Sequence, residues 1–346
     1  MRRRFLRLCA GATAWAAFRP AGARAEDSEW AIFKRRFIPS GERVVDTGNE
    51  GVTHSESQGW GMLFAEANND RETFDKIWKW TRTTLRRDDS LFSWRWLPHG
   101  TVPDKNNASD GDVLIAWALA RAAKRWDAKD YARESSAIQE AVLEFLVEEV
   151  KGRLILLPGL RGFARKELRV VNLSYYVWTA LQAFGEAGGE KWRAQWRRVH
   201  DDGLWLLDQA AFGTLNLPPD WLLYGDKEVQ IADGWPPYFG FDAVRIPLYL
   251  AWHNDGHRLA RFLAAWRTPR FNGRPPAWIN LRDGSVSPYA GPGGYTAIFA
   301  LSQYVGDGFK TDRPAMALVD ADDYYSASLK LLSAMAAREA PGSKRP

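Results

Sequence analysis

The spacing of apolar residues is the feature that most constrains the fold of this 346-residue chain. Eleven segments place apolar side chains three or four positions apart, which is typical of amphipathic helices. Short β-like runs are few, at 153–157 and 278–281 for example. No strand alternates with a helix in a βαβ rhythm, so Rossmann folds and TIM barrels are disfavoured. We therefore expect an all-α protein of paired helices around a common core, with helices at 28–38, 56–69, 71–86, 110–126, 130–150, 173–185, 189–208, 242–253, 256–267, 293–305 and 322–338.

The pattern predicts a single domain over residues 26–340, because no low-complexity stretch or Ser/Pro linker interrupts it. Pro341 and Gly342 begin a short tail, 341–346, which we expect to be flexible. No apolar run approaches the roughly 20 residues of a membrane span, so the sequence argues against an integral membrane protein.

The N-terminal residues 1–25 have the pattern of an export signal peptide. Three arginines, Arg2 to Arg4, precede a short apolar stretch, and Ala23-Arg24-Ala25 supplies a small-x-small cleavage pattern. The arginine run also resembles a twin-arginine signal. We therefore expect a periplasmic or secreted protein whose mature chain begins at Glu26.

Charge and cysteine content exclude several classes of function. Residues 1–25 hold six arginines and no acid, so without them the net charge falls from +5 to −1. A nearly neutral mature chain argues against a nucleic-acid partner. The sole cysteine, Cys9, lies in the predicted signal, which excludes a disulfide scaffold, a cysteine nucleophile and a Cys-ligated metal. The 18 tryptophans favour a glycan partner, since flat aromatic faces stack on sugar rings.

Three acidic residues stand at predicted helix starts beside small or polar residues: Glu56, Asp110 and Asp242. Such acids usually cap a helix or complement its dipole. Gly59 and Gly61, however, follow Glu56 at a cost in helix stability, which indicates that a ligand approaches the backbone there. Paired carboxyls are what glycosidic cleavage needs, one protonated to donate to the leaving oxygen and one ionised.

Three blocks of sequence resemble glycoside hydrolase family 8. The run from Ala108 to Trp126, beginning Ala-Ser-Asp-Gly-Asp, matches the family signature. The Ser-Glu-x-Gln-Gly-aromatic-Gly-Met block at 55–62 is similar to its proton-donor segment, and Phe-Asp-Ala-Val-Arg at 241–245 to a third segment. The blocks occur in the family's order, and the resemblance covers about 28–338. The likeness is greatest to endoglucanases encoded beside bacterial cellulose synthase.

The resemblance implies an (α/α)6 barrel with a few short β segments in its loops. It implies inverting hydrolysis of β-1,4-glucan without a cofactor or metal, with Glu56 as general acid, Asp242 as general base and Asp110 binding the sugar in the −1 subsite. For this chemistry the carboxyls of Glu56 and Asp242 are expected roughly 6.5–9.5 Å apart, leaving room for water.

The same resemblance assigns substrate-binding candidates. Trp94 is the best stacking platform, and Tyr175 lines the cleft. Arg245 either keeps Asp242 ionised or binds a sugar hydroxyl. Phe241 stands where the family commonly has Tyr, which removes a hydroxyl near the nucleophilic water. The full set of binding candidates is Trp94, Asp112, Tyr175, Phe241, Arg245 and Tyr325.

Alternatives remain at this point. The same machinery could act on another β-1,4 glycan, such as xylan, mixed-linkage glucan or chitosan. The chain could also be a slow, glucan-binding factor for cellulose export, and the cellulose synthase complex is a candidate partner. His253 and His257 have the spacing of zinc ligands on a helix, but Asn254 stands where a zincin has Glu, so no metal site is expected.

Overall fold

The computed structural model describes residues 28–187, 189–225, 228–271 and 273–343. The predicted signal peptide and the last three residues of the tail lie outside these ranges. Each of the eleven predicted helices has a counterpart there: α1 (Glu29–Phe37), α2 (Ser55–Ala67), α3 (Arg71–Thr84), α4 (Ser109–Trp126), α5 (Lys129–Phe145), α6 (Trp178–Glu186), α7 (Glu190–Gln209), α8 (Arg245–Trp252), α9 (Gly256–Trp266), α10 (Gly293–Gly306) and α11 (Tyr324–Glu339).

The helices form two concentric layers. In the inner layer α2, α4, α6, α8, α10 and α11 each pack against the next, and α11 packs against α2 to close the ring. Helices α1, α3, α5, α7 and α9 cover this ring from outside, and the irregular segment 307–323 joins α10 to α11 in place of a sixth outer helix. Burial follows the layers: all eight residues of α8 are buried, whereas α3 buries one stripe. The (α/α)6 prediction is confirmed.

A polar network at one end of the barrel shows how the inner helices are oriented. Glu66, near the end of α2, accepts hydrogen bonds from Arg121 Nε (2.7 Å) and Arg125 Nε (2.5 Å), near the end of α4. The two Nη atoms of Arg121 donate to Glu339, the last residue of α11, at 2.7 and 2.8 Å. Trp252, the last residue of α8, also donates to Glu339 (3.2 Å). The C-terminal ends of four inner helices therefore meet at one end of the barrel, and their N-termini lie at the other.

Glycines let α2 and α4 approach closely. A Cβ on Gly59 would lie 2.6 Å from Leu114 Cβ, and one on Gly111 would lie 2.1 Å from Ser55 Oγ. Gly61 likewise faces Val44, at 2.5 Å. The prediction that Gly59 and Gly61 admit a ligand is wrong, because packing of protein against protein requires them. Gly59 and Gly111 together bring the N-termini of α2 and α4 side by side.

Ten short strands lie in the loops of the described ranges, all paired antiparallel. They form three two-stranded ribbons and one four-stranded sheet in the order β5-β6-β7-β8. The strands are β1 (Thr53–His54) with β2 (Arg95–Trp96), β3 (Val147–Val150) with β4 (Arg153–Leu156), β9 (Tyr238–Phe239) with β10 (Ile279–Asn280), and β5 (Ala164–Arg165), β6 (Leu168–Val171), β7 (Leu222–Tyr224) and β8 (Gln230–Ile231).

Three boundaries differ from the sequence prediction. Helix α5 ends at Phe145, and 147–150 turn into a strand of a β-hairpin. The predicted helix at 173–185 divides into a 3-10 turn, Leu173–Tyr175, and α6. Asp242 precedes α8 by three residues, so it lies on a turn instead of a helix. No helix in the described ranges combines the length and apolar character needed to cross a membrane.

Candidate active site

Three carboxyl groups surround one buried guanidinium at the N-terminal end of the inner ring. Arg245 Nη1 donates to Glu56 Oε1 at 2.5 Å, and its Nη2 donates to Asp242 Oδ1 at 3.0 Å. Asp110 Oδ2 lies 3.7 Å from the same Nη2. Ser174 Oγ accepts a further hydrogen bond from Nη2, at 2.9 Å. The structure thus brings together residues from the three separate sequence blocks that contain Glu56, Asp110 and Asp242 with Arg245.

The helices position these groups. Glu56 and Asp110 are each the second residue of their helix, α2 and α4, and Arg245 is the first residue of α8. Asp110 Oδ1 accepts a hydrogen bond from the Gly111 N–H at 2.7 Å. Because a helix N-terminus carries partial positive charge, it stabilises carboxylates placed in the first turn. The close packing of α2 on α4 sets the distance between Glu56 and Asp110.

Asp242 lies on a turn that leads into α8. Within the turn, the Val244 N–H donates to Gly240 O (3.0 Å) and the Arg245 N–H donates to Asp242 O (3.1 Å). The phenol of Tyr325, on α11, donates to Phe241 O at 2.5 Å. The turn is therefore fixed both by its own backbone and by a neighbouring inner helix.

The surroundings of Glu56 favour its protonated form. Burial is the largest cause and raises the pKa of Glu56 well above its ordinary value; Arg245 opposes this, and the negative charges of Asp110 and Asp242 add to it. Glu56 also shares a hydrogen bond with Asp110 that raises the pKa of Glu56 and lowers that of Asp110. Glu56 is thus the carboxyl of the group that is best placed to carry a proton.

The pKa of Asp242 is also raised above its ordinary value, but here two groups oppose the rise. Burial raises its pKa, while Arg245 and the side-chain amide of Asn172 lower it. Its side chain is also the most exposed of the three, at 27%, against 17% for Glu56 and 5% for Asp110. Environments that separate the proton affinities of two carboxyls are the usual basis for acid and base roles in one site.

The carboxyls open into a pocket of about 180 Å³. One wall is Trp94, whose indole stacks on the imidazole of His54 with 5.9 Å between ring centroids and an interplanar angle of 8°. The Trp94 indole N–H donates to Asp104 at 3.0 Å, which fixes the ring. The other wall is Tyr175, whose ring lies 5.9 Å from the Arg245 guanidinium. The pocket is lined by His54, Ser55, Glu56, Trp94, Ala108, Asp110, Tyr175, Asp242 and Arg245.

Two further candidates from the sequence lie at the rim. Phe241 is 48% exposed, with its ring 6.2 Å from those of Tyr295 and Tyr325. Tyr325 supports the turn through its phenol, as described above, and its ring lies 6.4 Å from that of Trp60. Neither lines the pocket between the carboxyls.

The structure does not place Asp112 in the cleft, contrary to its prediction as a substrate-binding residue. Its side chain is fully buried. One oxygen accepts the Phe92 N–H (2.8 Å) and the other accepts Asn107 Nδ2 (2.7 Å). Burial raises the pKa of Asp112 to about 8. Its contacts attach the loops before α4 to the helix, and it does not line the pocket.

Sequence reasoning did not assign a role to four residues of this site. His54 stands next to the Ser55-Glu56 block, and its proximity to that block was an available signal. Asn172 and Ser174 flank the predicted start of a helix and lie beside Asp242 and Arg245. Asp220 lies in a proline-rich loop about 20 residues before Asp242, and no pattern in the sequence connects the two.

No group of three or more His, Cys, Asp and Glu side chains is arranged to hold a metal ion within the described residues. His253 instead faces His200, with 3.2 Å between their Nε2 atoms, away from the carboxyls. The site therefore offers a proton donor, a carboxylate and aromatic faces, which is the equipment of acid–base catalysis on a sugar.

Comparison with known proteins agrees with this geometry. The model of the glycosyl hydrolases family 8 matches residues 6–339. A probable endoglucanase of Novacetimonas hansenii is 42% identical over 319 residues, which cover 90% of each chain.

Solved structures show the same architecture. Endoglucanase Cel10 of Klebsiella pneumoniae, a family 8 glycosyl hydrolase, has a TM-score of 0.83 at 42% identity, covering 90% of this chain and 99% of that one. Endo-beta-1,4-glucanase CMCax of Acetobacter xylinum has a TM-score of 0.81, also at 42% identity, covering 90% and 97%. The chain belongs to the glycosyl hydrolases of family 8.

Proposed function

We propose that the protein is an endo-β-1,4-glucanase that hydrolyses internal glucosidic bonds of cellulose with inversion at the anomeric carbon. The observation that carries the proposal is the group of Glu56, Asp110 and Asp242 around the Arg245 guanidinium, open to a pocket with an aromatic wall. The name endo-beta-1,4-glucanase, borne by the Acetobacter xylinum relative, supports the choice of bond.

Glu56 acts as the general acid in this proposal. Its proton goes to the glycosidic oxygen as the bond to the anomeric carbon breaks. Burial and the two neighbouring carboxyls keep that proton bound until the leaving oxygen needs it. Removal of the proton leaves Glu56 ionised beside Arg245, which stabilises the resulting carboxylate at 2.5 Å.

Asp242 acts as the general base. It takes a proton from a water that attacks the anomeric carbon from the face opposite the leaving oxygen, which inverts the configuration. Arg245 and Asn172 favour the ionised form that this step requires. Inversion also requires the Glu56 and Asp242 carboxyls to stand roughly 6.5–9.5 Å apart with substrate bound.

Asp110 binds the sugar in the −1 subsite, between the acid and the base. Asp110 lines the pocket, and an ionised carboxylate only accepts hydrogen bonds, so it suits sugar hydroxyls as donors. Trp94 supplies a flat face for a neighbouring glucose ring. The hydroxyls of cellulose are neutral, and a net charge near −1 for residues 26–346 does not indicate the acid-rich cleft that cationic chitosan would need.

We also propose export to the periplasm or beyond it and a link to cellulose synthesis, with the cellulose synthase complex as a candidate partner. The N-terminal pattern of residues 1–25 supports export. The N-terminal sequence of the protein purified from a producing bacterium tests this directly: cleavage gives a chain starting at Glu26, and an intact Met1 contradicts it.

Viscosity and reducing ends, followed together on carboxymethylcellulose, test the activity. We expect the wild type to lower viscosity quickly while few new reducing ends appear, because each internal cut greatly shortens a long chain but adds only one reducing end. Glu56→Gln removes the proton donor and lowers kcat by about 10²–10⁴-fold. Glu72→Gln is the matched control, since Glu72 is an exposed acid on the outer helix α3.

The anomer formed first on cellopentaose, read by proton NMR, tests inversion. An initial α-anomer supports the assignment of Asp242 as base, and an initial β-anomer contradicts it. Inactivity of the wild type on carboxymethylcellulose would lead to the same assay on xylan and chitosan. Binding of cellulose without cleavage of any of these glycans would favour a glucan-binding factor.

A further inference from the structure

Asp220 contacts the turn that carries Asp242, although it does not line the pocket. Its Oδ1 accepts the Gly240 N–H at 3.0 Å and the Ala243 N–H at 2.7 Å. These two N–H groups lie on either side of Phe241 and Asp242 in the chain. One carboxylate oxygen therefore holds both ends of the four-residue turn 240–243.

Both partners of the contact between Asp220 and the turn are adapted to it. The Asp220 N–H donates to Tyr238 O at 2.7 Å, which attaches its backbone to the strand just before the turn. A Cβ on Gly240 would lie 2.8 Å from Asp220 Oδ2, so a side chain at that position would displace the carboxylate. Glycine at 240 and aspartate at 220 thus depend on each other.

Asp220 also lies in the electrostatic environment of the base. Burial and the nearby negative charge of Asp242 raise the pKa of Asp220 to about 7, against the opposing backbone hydrogen bonds and Arg245. The negative charge of Asp220 also raises the pKa of Tyr295 and Tyr325, which places both phenols in its electrostatic environment. Because repulsion between two carboxylates is mutual, an ionised Asp220 strengthens the affinity of Asp242 for a proton.

We propose that Asp220 is a positioning residue for the general base: it braces the turn 240–243 through two backbone hydrogen bonds, and its negative charge makes Asp242 a stronger base. The proposal rests on the proposed function of Asp242. It gives Asp220 no contact with the substrate, because the lining of the pocket does not include it.

The bracing role predicts a separation of kcat from KM. Asp220→Ala leaves the two N–H groups without their acceptor and lets Asp242 move, and a displacement of about 1 Å at a reacting group costs on the order of 10²-fold in kcat. KM on cellohexaose stays within about threefold, because the sugar contacts persist. Asp220→Asn keeps a carbonyl oxygen that accepts both hydrogen bonds, so it restores kcat to within about fivefold of the wild type.

Two matched variants complete the series. Gly240→Ala displaces the carboxylate without removing it, and we expect it to lower kcat as Asp220→Ala does. Asp233→Ala removes an acid whose side chain is 83% exposed and leaves kcat at the wild-type value. Thermal unfolding of each variant shows that the compared proteins are folded.

The charge role predicts a pH effect that a purely structural residue does not produce. Asn at 220 mimics the protonated acid at every pH, so the ratio of kcat/KM between wild type and Asp220→Asn rises as pH increases through about 7. A flat ratio from pH 5.5 to 8.5 overturns the charge role. Two results overturn the bracing role. One is a kcat of Asp220→Ala within about threefold of the wild-type value, and the other is a kcat of Asp220→Asn as low as that of Asp220→Ala.

These outcomes are distinct from failure of the proposed function. If cellohexaose is not a substrate, the wild type and Asp233→Ala are inactive too. If Asp242 is not the base, Asp242→Asn retains activity. A lower kcat in Asp220→Ala and Gly240→Ala but not in Asp233→Ala, together with an inactive Asp242→Asn, supports the positioning role.

Discussion

Replacing Arg245 by methionine tests the electrostatic design of the site. The guanidinium is the only cation in contact with the three carboxyls in the described part of the chain, and just 6% of its side chain is exposed. Methionine is flexible and apolar, so it fills much of the same volume without the charge. Removing one partner of a buried ion pair costs about 3–5 kcal/mol, because the remaining charges lose their compensation. We expect a loss of that size in the free energy of unfolding at pH 7.5.

The loss depends on pH in a defined direction. Without Arg245, the pKa values of Glu56, Asp110 and Asp242 in the folded protein rise further above their values in the unfolded chain, since Arg245 lowers all three. A carboxyl whose folded pKa is raised destabilises the fold increasingly as pH rises above its unfolded pKa. The penalty is therefore largest at pH 7.5 and shrinks towards pH 5. One unit of pKa is worth about 1.4 kcal/mol, so we expect the loss at pH 7.5 to exceed that at pH 5 by at least about 1.4 kcal/mol.

Urea unfolding at the two pH values measures both numbers. Arg261→Met is the matched control, because the Arg261 guanidinium donates to the backbone oxygens of Ala210 (3.2 Å) and Leu207 (3.0 Å). Its loss should be equal at pH 5 and pH 7.5. An equal loss at the two pH values for Arg245→Met, or a loss below about 1 kcal/mol, would refute the view that Arg245 compensates the negative charge of the three carboxyls.

Two further predictions concern the contact between α2 and α4 and the stacking platform. Gly59→Ala places a Cβ 2.6 Å from Leu114 Cβ and should lower the free energy of unfolding by about 1–3 kcal/mol in a urea titration. The control Gly256→Ala, whose Cβ meets only Val305 O at 4.0 Å, should leave the free energy of unfolding unchanged. Trp94→Ala removes the stacking face and should raise KM on cellohexaose about tenfold with a smaller change in kcat. Trp94→Phe keeps an aromatic face and should retain most of the affinity. An unchanged KM in Trp94→Ala would exclude the ring as a platform.

An outer helix could be predicted from the sequence because its buried stripe repeats with the period of a helix. α3 is an example: Phe74, Ile77, Trp78 and Thr81 are its buried residues, at the spacing that the sequence shows. The strands could not be predicted as well, since the four strands of the sheet β5–β8 are two to four residues long. The end of α5 was missed because 147–150 contain apolar residues that fit either period, and only pairing with 153–156 decides between them.

Site residues that lie within a sequence motif could be predicted from the sequence. Contacts between loops that are distant in the chain could not. Glu56 and Asp110 lie in the motifs, and the helices carry them to one place. Asp112 stands two residues from Asp110 in the same motif, yet a helix turns by about 100° per residue, so it points elsewhere. Asp220 approaches Asp242 only through the turn that the fold forms, and a single sequence does not reveal such a meeting.

The closure of the ring by the last helix has a consequence for how the enzyme is made. Glu339 of α11 joins the ends of α4 and α8, and Tyr325 at its other end supports the turn of the base. A nascent chain that has not yet released these final residues from the ribosome lacks both contacts. The turn that carries Asp242 therefore gains this support only after α11 has left the ribosome, and termination before Tyr325 yields a chain without it.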